Sequence, residues 1–134
     1  MAIILDADVI IRGENGTFDL PAWVASRAND QFEVAAITVA ELWHGVERAS
    51  GAQRNRRERY LRAALAPMPL IAYTEQTAYY HAKVWAELQR VGKMTGYYDI
   101  IVAATALERG STVATFNQRH FAGIAGLKVL QPAV

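Results

Sequence analysis

The chain contains no cysteine. That excludes a disulfide framework, a cysteine-based zinc site and a thiol nucleophile. Only four prolines are present, and neither they nor the nine glycines gather into a linker or a low-complexity tract. There is no internal repeat. No stretch approaches the roughly 18 uncharged apolar residues of a membrane span. The opening MAIIL is interrupted by Asp6 and Asp8 and has no basic lead-in, so it does not read as a signal peptide. The expectation is a cytoplasmic protein with no membrane partner. Net charge is nearly lacking too, at +1.

What remains is 134 residues, 52% hydrophobic, the size of one domain, expected to span 1–134. The small net charge conceals an uneven distribution. Residues 47 to 62 hold six Arg and two Glu, a local +4, which leaves eight bases and eleven acids elsewhere, a net of −3. Arg54, Arg56, Arg57 and Arg59 are candidates to meet a phosphate backbone or an acidic protein partner. Tyr60 lies among them and offers a ring for base stacking. A charged helix face is also commonly just solvated.

Short apolar runs rich in β-branched residues occur at 2–5, 34–37, 69–72, 112–115 and 127–130. Between them lie helical patterns at 38–49, 53–65, 75–91 and 98–109, the last almost wholly apolar and stopped by Gly110. In the 75–91 helix the spacing places Ala78, His81, Ala82, Trp85 and Leu88 on the buried side. Alternation of such strands with helices predicts a three-layer α/β/α sandwich around a parallel sheet of about five strands. Trp43, Trp85, Tyr79 and Tyr80 read as core or dimer contacts, His81 as a satisfied core or interface residue, and His44 as a partly exposed packing residue.

In open parallel sheets functional groups gather beyond the carboxyl ends of the strands. Asp6 directly follows the first strand. Glu41 opens the helix after the second, and Asp99 lies in the first turn of the apolar helix before the fourth. Thr115, Asn117 and His120 follow that fourth strand. Three carboxylates at one edge raise one another's pKa unless a cation offsets them. The cation that suits oxygen donors is Mg²⁺ or Mn²⁺. Each residue also has a structural reading. Thr38 and Glu41 fit a capping box, and Asp99 complements a helix dipole. Asp6 and Asn117 suit caps, Asp8 suits the N-cap of a short helix after strand one, and His120 suits the surface.

The stretches ILDADVII, ITVAELWHGVERA, YYDIIVAATALERG and VATFNQRHF followed by AGLKVL resemble, in order and spacing, the PIN-domain family. The closer likeness is to the VapC-type toxins of bacterial toxin–antitoxin pairs. The resemblance implies a metal-dependent endoribonuclease with Asp6, Glu41 and Asp99 as its acidic cluster. It implies a homodimer held inactive by a cognate antitoxin, with RNA as substrate. Asp6 and Asp99 are then candidates for direct ligands, and Glu41 for a ligand or water-positioning group. Thr115 and Asn117 are candidates to hold the scissile phosphate or anchor the loop, and Asp8 to orient the site. The family usually supplies a fourth acid three residues after the Asn. Here that residue is His120, which can still ligate a metal but adds no negative charge.

Two rival readings, one enzymatic and one a signalling domain, are weaker. LDADV resembles the start of haloacid-dehalogenase-type phosphatases, but that class needs acids after a late strand, where this chain has TFNQRH. A receiver domain needs an Asp after strand three, where Tyr73-Thr74-Glu75 stands. A non-enzymatic alternative, a PIN-like module that grips RNA or protein without cutting, draws on His120.

Overall fold

The computed structural model describes residues 1–133. Five strands, β1 (Ala2–Leu5), β2 (Gln31–Ala35), β3 (Leu70–Ile71), β4 (Thr112–Ala114) and β5 (Lys128–Leu130), form one parallel sheet in the order β3-β2-β1-β4-β5. Ile4 of β1 pairs with Glu33 on one side and Val113 on the other. β1 is apolar throughout because both of its faces are covered. Ile3 and Leu5 enter one hydrophobic cluster while Ile4 enters the other, the period of two that the pleat imposes.

Six helices cover the sheet: α1 (Ala7–Glu14), α2 (Leu20–Ser26), α3 (Ala36–Arg48), α4 (Gly51–Leu65), α5 (Glu75–Val91) and α6 (Tyr97–Arg109). Side chains of α1 to α4 close the core on the Ile3/Leu5 face, with Trp23, Leu42, Val46 and Leu61 buried there. α5 and α6 close the Ile4 face through Val84, Leu88, Ile100, Val102, Ala103 and Ala106. The architecture is the expected three-layer sandwich on a five-stranded parallel sheet.

α5 has the predicted bounds because its ends are locally encoded. Thr74 and Thr77 form a reciprocal capping box, and Gly92 takes the left-handed conformation (φ 71°) that ends the helix. Gly110 ends α6 in the same way at φ 66°. The face of α5 differs from expectation. Thr77, Val84 and Leu88 are buried, whereas Ala82 and Trp85 face outward. His81 is half-buried, with Nδ1 2.8 Å from the Tyr73 hydroxyl. Packing against α6 selected the Val84 stripe, and two alanines carry too little surface to outvote it.

Further expectations are corrected. β2 lies three residues earlier at its start than the 34–37 run, and α3 begins at Ala36, directly off the strand. Thr38 is therefore a buried helical residue with an unpartnered Oγ1, and no Thr38–Glu41 capping box exists. α2 was absent from the sequence reading, although Asp19 caps it and Pro21 stands in its first turn, a recognisable start signal. Tyr60 does not offer its ring for stacking. It packs against the core, with its hydroxyl 2.3 Å from where a Cβ on Gly13 would sit. Exposed Tyr79 and Trp85 are not core residues, and Trp43 is partly buried against the core.

At the amino end of the sheet, Glu33 is buried and held by Arg109 (Nε to Oε1 3.3 Å, with a second contact from the guanidinium) and by the Ser111 hydroxyl. This clamp ties the end of α6 to β2, so that the opposite end of α6, carrying Asp99, is fixed relative to the sheet.

Candidate active site

The strand order reverses direction at β1, whose neighbours β2 and β4 carry the chain to opposite edges of the sheet. Such a switch point opens a crevice at the strands' carboxyl ends. Asp6 stands in it. The residue leaves β1, caps α1 by accepting the Ala7 N–H at Oδ1 (2.9 Å), and accepts the Thr115 hydroxyl at Oδ2 (2.9 Å). It is 6% exposed. Asp8, two residues on, accepts the Phe116 N–H at 3.0 Å. The N-cap of α1 is thus Asp6 and not Asp8.

Thr115 is fully buried. Its Oγ1 donates toward Asp6 and accepts the Asn117 N–H at 2.9 Å, with Asp8 at 3.3 Å. This hydroxyl is committed to binding the β4 loop to the acids, so it is an anchor rather than a phosphate contact. Asn117 precedes a single 3-10 turn, Gln118–His120, and its side chain makes no cap bond.

One cleft of about 290 Å³ is lined by Asp6, Asp8, Glu41, Asp99, Asn117 and His120, with Gly96, Tyr97 and Tyr98 on its rim. Glu41 reaches it from the second turn of α3, and its Oε1 is buried with no hydrogen-bond partner. Asp99 reaches it from the first turn of α6, with Oδ2 3.1 Å from His120 Nδ1. His44, three residues after Glu41, is exposed and does not line the cleft.

Burial pushes the Glu41 carboxyl up to about 7, helped by Asp6, Asp99 and Asp8. Burial also raises Asp6, with the Thr115 hydrogen bond opposing and Asp99 adding to the rise. Asp8 is raised by burial and by Asp6. Asp99 is raised by burial against the opposition of His120. Four carboxyls crowded at the end of a sheet, all resisting ionisation, are a costly arrangement for a purely structural role.

The donor set is oxygen-rich and the orphaned Glu41 Oε1 needs a partner, so the residues fit a hard divalent cation. Among the described residues no three His, Asp or Glu side chains already stand close enough together to hold a metal ion without rearrangement. Mg²⁺, which typically takes one or two carboxylates and keeps several waters, suits such an open set.

Sequence reasoning missed Tyr97 and Tyr98, which are 70% and 53% exposed on the rim. Their signal was present: two aromatics immediately before an acid in a first turn must share its end of the helix. The arginine helix lies elsewhere. Arg54 pairs with Glu47 at 3.0 Å and Arg57 with Glu14 at 3.1 Å, while Arg56 and Arg59 are exposed without ion pairs among the described residues. None of the four lines the acid cleft.

Comparison with known proteins gives a consistent picture. The model of the PIN domain matches residues 3–127. The tRNA(fMet)-specific endonuclease VapC of Salmonella typhimurium is 31% identical over 96 residues, covering 72% of this chain and 71% of the relative. The fold matches that of VapBC2 from Rickettsia felis, solved bound to a promoter DNA fragment, with TM-score 0.89, 21% identity and 98% of each chain covered. A toxin–antitoxin complex from Klebsiella pneumoniae matches at TM-score 0.66 and 25% identity over 98% of each chain.

Proposed function

The chain belongs to the PIN-domain family, among its VapC-type ribonucleases, and from that premise we propose that it is the endoribonuclease toxin of a toxin–antitoxin pair, hydrolysing RNA at a carboxylate-held Mg²⁺ or Mn²⁺. The observation that carries the site assignment is Glu41 Oε1, buried, unpartnered and facing three other carboxylates. A buried polar atom without a partner costs about 1–3 kcal/mol. A cation removes that cost.

Asp6 and Asp99 are the groups that hold the ion, with Glu41 as a third ligand or the residue that positions the attacking water. When bound, the ion supplies a water of lowered pKa and a Lewis acid for the phosphoryl oxygens. The chain's own residues do the rest. Asp6 is held by two donors, so its free lone pairs keep one direction. Glu41 would direct its carboxylate at the ion or at a water beside it, and a cation opposite would lower the pKa that burial raises. Asn117 presents an uncommitted amide to the phosphate. Tyr97 and Tyr98 offer rings for the flanking bases.

The Klebsiella pneumoniae neighbour, a toxin–antitoxin complex, supports a cognate antitoxin as partner. A second copy of the chain is the other partner in this reading, and the exposed Tyr79 and Trp85 of α5 offer apolar surface for it. The two unpaired arginines of α4, Arg56 and Arg59, face RNA or antitoxin. The phosphatase alternative needs acids after β4, where Thr115, Asn117 and His120 stand instead. The binding-module alternative rests on His120. Calorimetric titration with Mn²⁺, with and without Asp99→Ala, separates it from the nuclease, because a module shows no binding for Asp99 to abolish.

The deciding experiment is cleavage of cellular RNA by Asp6→Asn with metal present. The substitution is nearly isosteric, so the variant is expected to fold, which a cooperative melt checks, but not to cut. Cleavage at the wild-type rate would show that the centre is misassigned.

A further inference from the structure

A second cleft adjoins the acid site. It has a volume of about 430 Å³ and runs between the end of α5 and the 3-10 turn, and its wall includes Lys93, Met94, Thr95, Arg119 and His120. His120 belongs to both clefts. Thr95, in the wall of the second cleft, lies near enough to Asp99 to oppose the rise of its carboxyl pKa. The wall carries two permanent cations and no carboxylate. Among the described residues neither Lys93 nor Arg119 makes an ion pair, whereas Arg54, Arg57 and Arg62 of α4 are each neutralised by a glutamate.

Lys93 is set in place by its backbone. Gly92 ends α5 in the left-handed conformation, and the Lys93 N–H returns to Leu88 O at 2.9 Å. Its aliphatic stem then crosses Gly123. A Cβ there would lie 3.4 Å from Lys93 Cδ, and a longer side chain would displace the stem. Arg119 is carried on the same short turn that brings His120 to Asp99. Two exposed cations thus stand beside a centre that is otherwise strongly acidic.

A polyanion approaching four carboxyls gains from positive charge beyond that of a bound cation, and the α4 arginines do not line the acid cleft. We propose that the Lys93/Arg119 cleft is a subsite for the backbone phosphate next to the scissile one in a single-stranded RNA. This rests on the nuclease reading and adds to it where the chain runs as it leaves the centre. A phosphate tethered one nucleotide from the scissile position is delivered to this cleft by the strand itself, which a free carboxylate of a protein partner is not. Guanidinium and ammonium both bind phosphate oxygens by charge-assisted hydrogen bonds.

The test uses the full-length protein and a fluorescent single-stranded RNA oligonucleotide, with Ca²⁺ in place of Mg²⁺ and salt as the variable. The variants are Lys93→Ala/Arg119→Ala and the charge-conserving Lys93→Arg/Arg119→Lys. The alanine pair is expected to weaken binding about tenfold and to reduce the slope of log K against log salt by about 0.7, the single-strand value for one phosphate. The charge-conserving pair retains the slope, and with Mg²⁺ the alanine pair raises KM while kcat is unchanged. Wild-type affinity and slope in the alanine pair overturn the subsite, as does a wild-type protein that binds no RNA. Unchanged RNA binding with weakened antitoxin inhibition overturns it too, and assigns the cations to a peptide carboxylate. A wild-type protein that binds RNA with the expected dependence on the two cations but never cuts it supports the subsite and strikes the nuclease reading alone.

Discussion

His120 Nδ1 stands 3.1 Å from Asp99 Oδ2, so the residue three places after Asn117 meets the acid at the start of α6. An imidazole there holds Asp99 in one orientation and opposes the rise of its pKa. It does so without adding to the negative charge that binds a cation. One position therefore sets the repulsion among the acids and, in the proposed site, the charge available to a cation.

His120→Asp separates these effects. The added charge is expected to tighten Mn²⁺ binding about tenfold, since ligand charge count is a principal determinant of affinity at oxygen sites. It also lowers the melting temperature of metal-free protein, because another like charge enters the cleft. Isothermal titration calorimetry and melting in EDTA read the two effects. Unchanged or weaker Mn²⁺ affinity shows that the position lies outside the ion's reach.

Thr115 is the tie between β4 and the acids, and its hydroxyl is fully buried. Thr115→Val keeps the shape and removes the hydrogen bond to a charged acceptor, for an expected loss of about 2 kcal/mol. The Asn117 N–H loses its acceptor as well. Thr115→Ser is expected to recover most of the stability. Urea denaturation checks both, and a Val variant as stable as wild type means that Asp6 is not held through this contact.

The same few residues mark what a linear sequence can and cannot disclose. The bounds of α5 were legible because Thr74 and Gly92 act locally. Its buried face was not, because α6 decides it and α6 lies distant in sequence. Asp6, Glu41 and Asp99 could be placed at one sheet edge from strand and helix order alone. The capping-box reading of Glu41 failed because α3 starts straight from β2, with no loop to need a cap. The arginines of α4 read as one basic face, but Glu47 and Glu14 take up Arg54 and Arg57, and Glu14 comes from α1 on the other side of the helix packing. Lys93 and Arg119 sit 26 residues apart on unremarkable turns, and only the fold makes them neighbours of the acids.

Gly13 and Tyr60 make a steric pair. A Cβ on Gly13 would lie 2.3 Å from the Tyr60 hydroxyl, on a ring packed against the core. Ala for Gly inside a helix ordinarily gains about 0.5–1 kcal/mol. Overpacking costs about 1–3 kcal/mol, so Gly13→Ala is expected to destabilise on balance. Adding Tyr60→Phe removes the colliding oxygen. A double-mutant cycle is expected to show favourable coupling of about 1 kcal/mol or more. Additive effects would mean that the ring moves aside freely.

The pH dependence of stability follows from the raised carboxyls. Glu41 rises from 4.5 to about 7, and Asp6, Asp8 and Asp99 move in the same direction. A group whose folded pKa lies above its unfolded value binds protons more tightly when folded. Its stabilising contribution is complete below the unfolded pKa and is lost as pH rises through the folded one. For Glu41 the window runs from about pH 4.5 to about pH 7. Metal-free protein is therefore expected to melt at a higher temperature near pH 5 than near pH 8, within the range where the rest of the fold is intact. Glu41→Gln carries no such proton and flattens the profile. Mg²⁺ or Mn²⁺ stabilises the ionised form, so its effect on melting is larger at pH 8 than at pH 5. Melting curves across that range, with EDTA and with Mn²⁺, check all three statements. A metal-free profile that rises from pH 5 to pH 8 contradicts the crowding of protonated carboxyls at the end of β1.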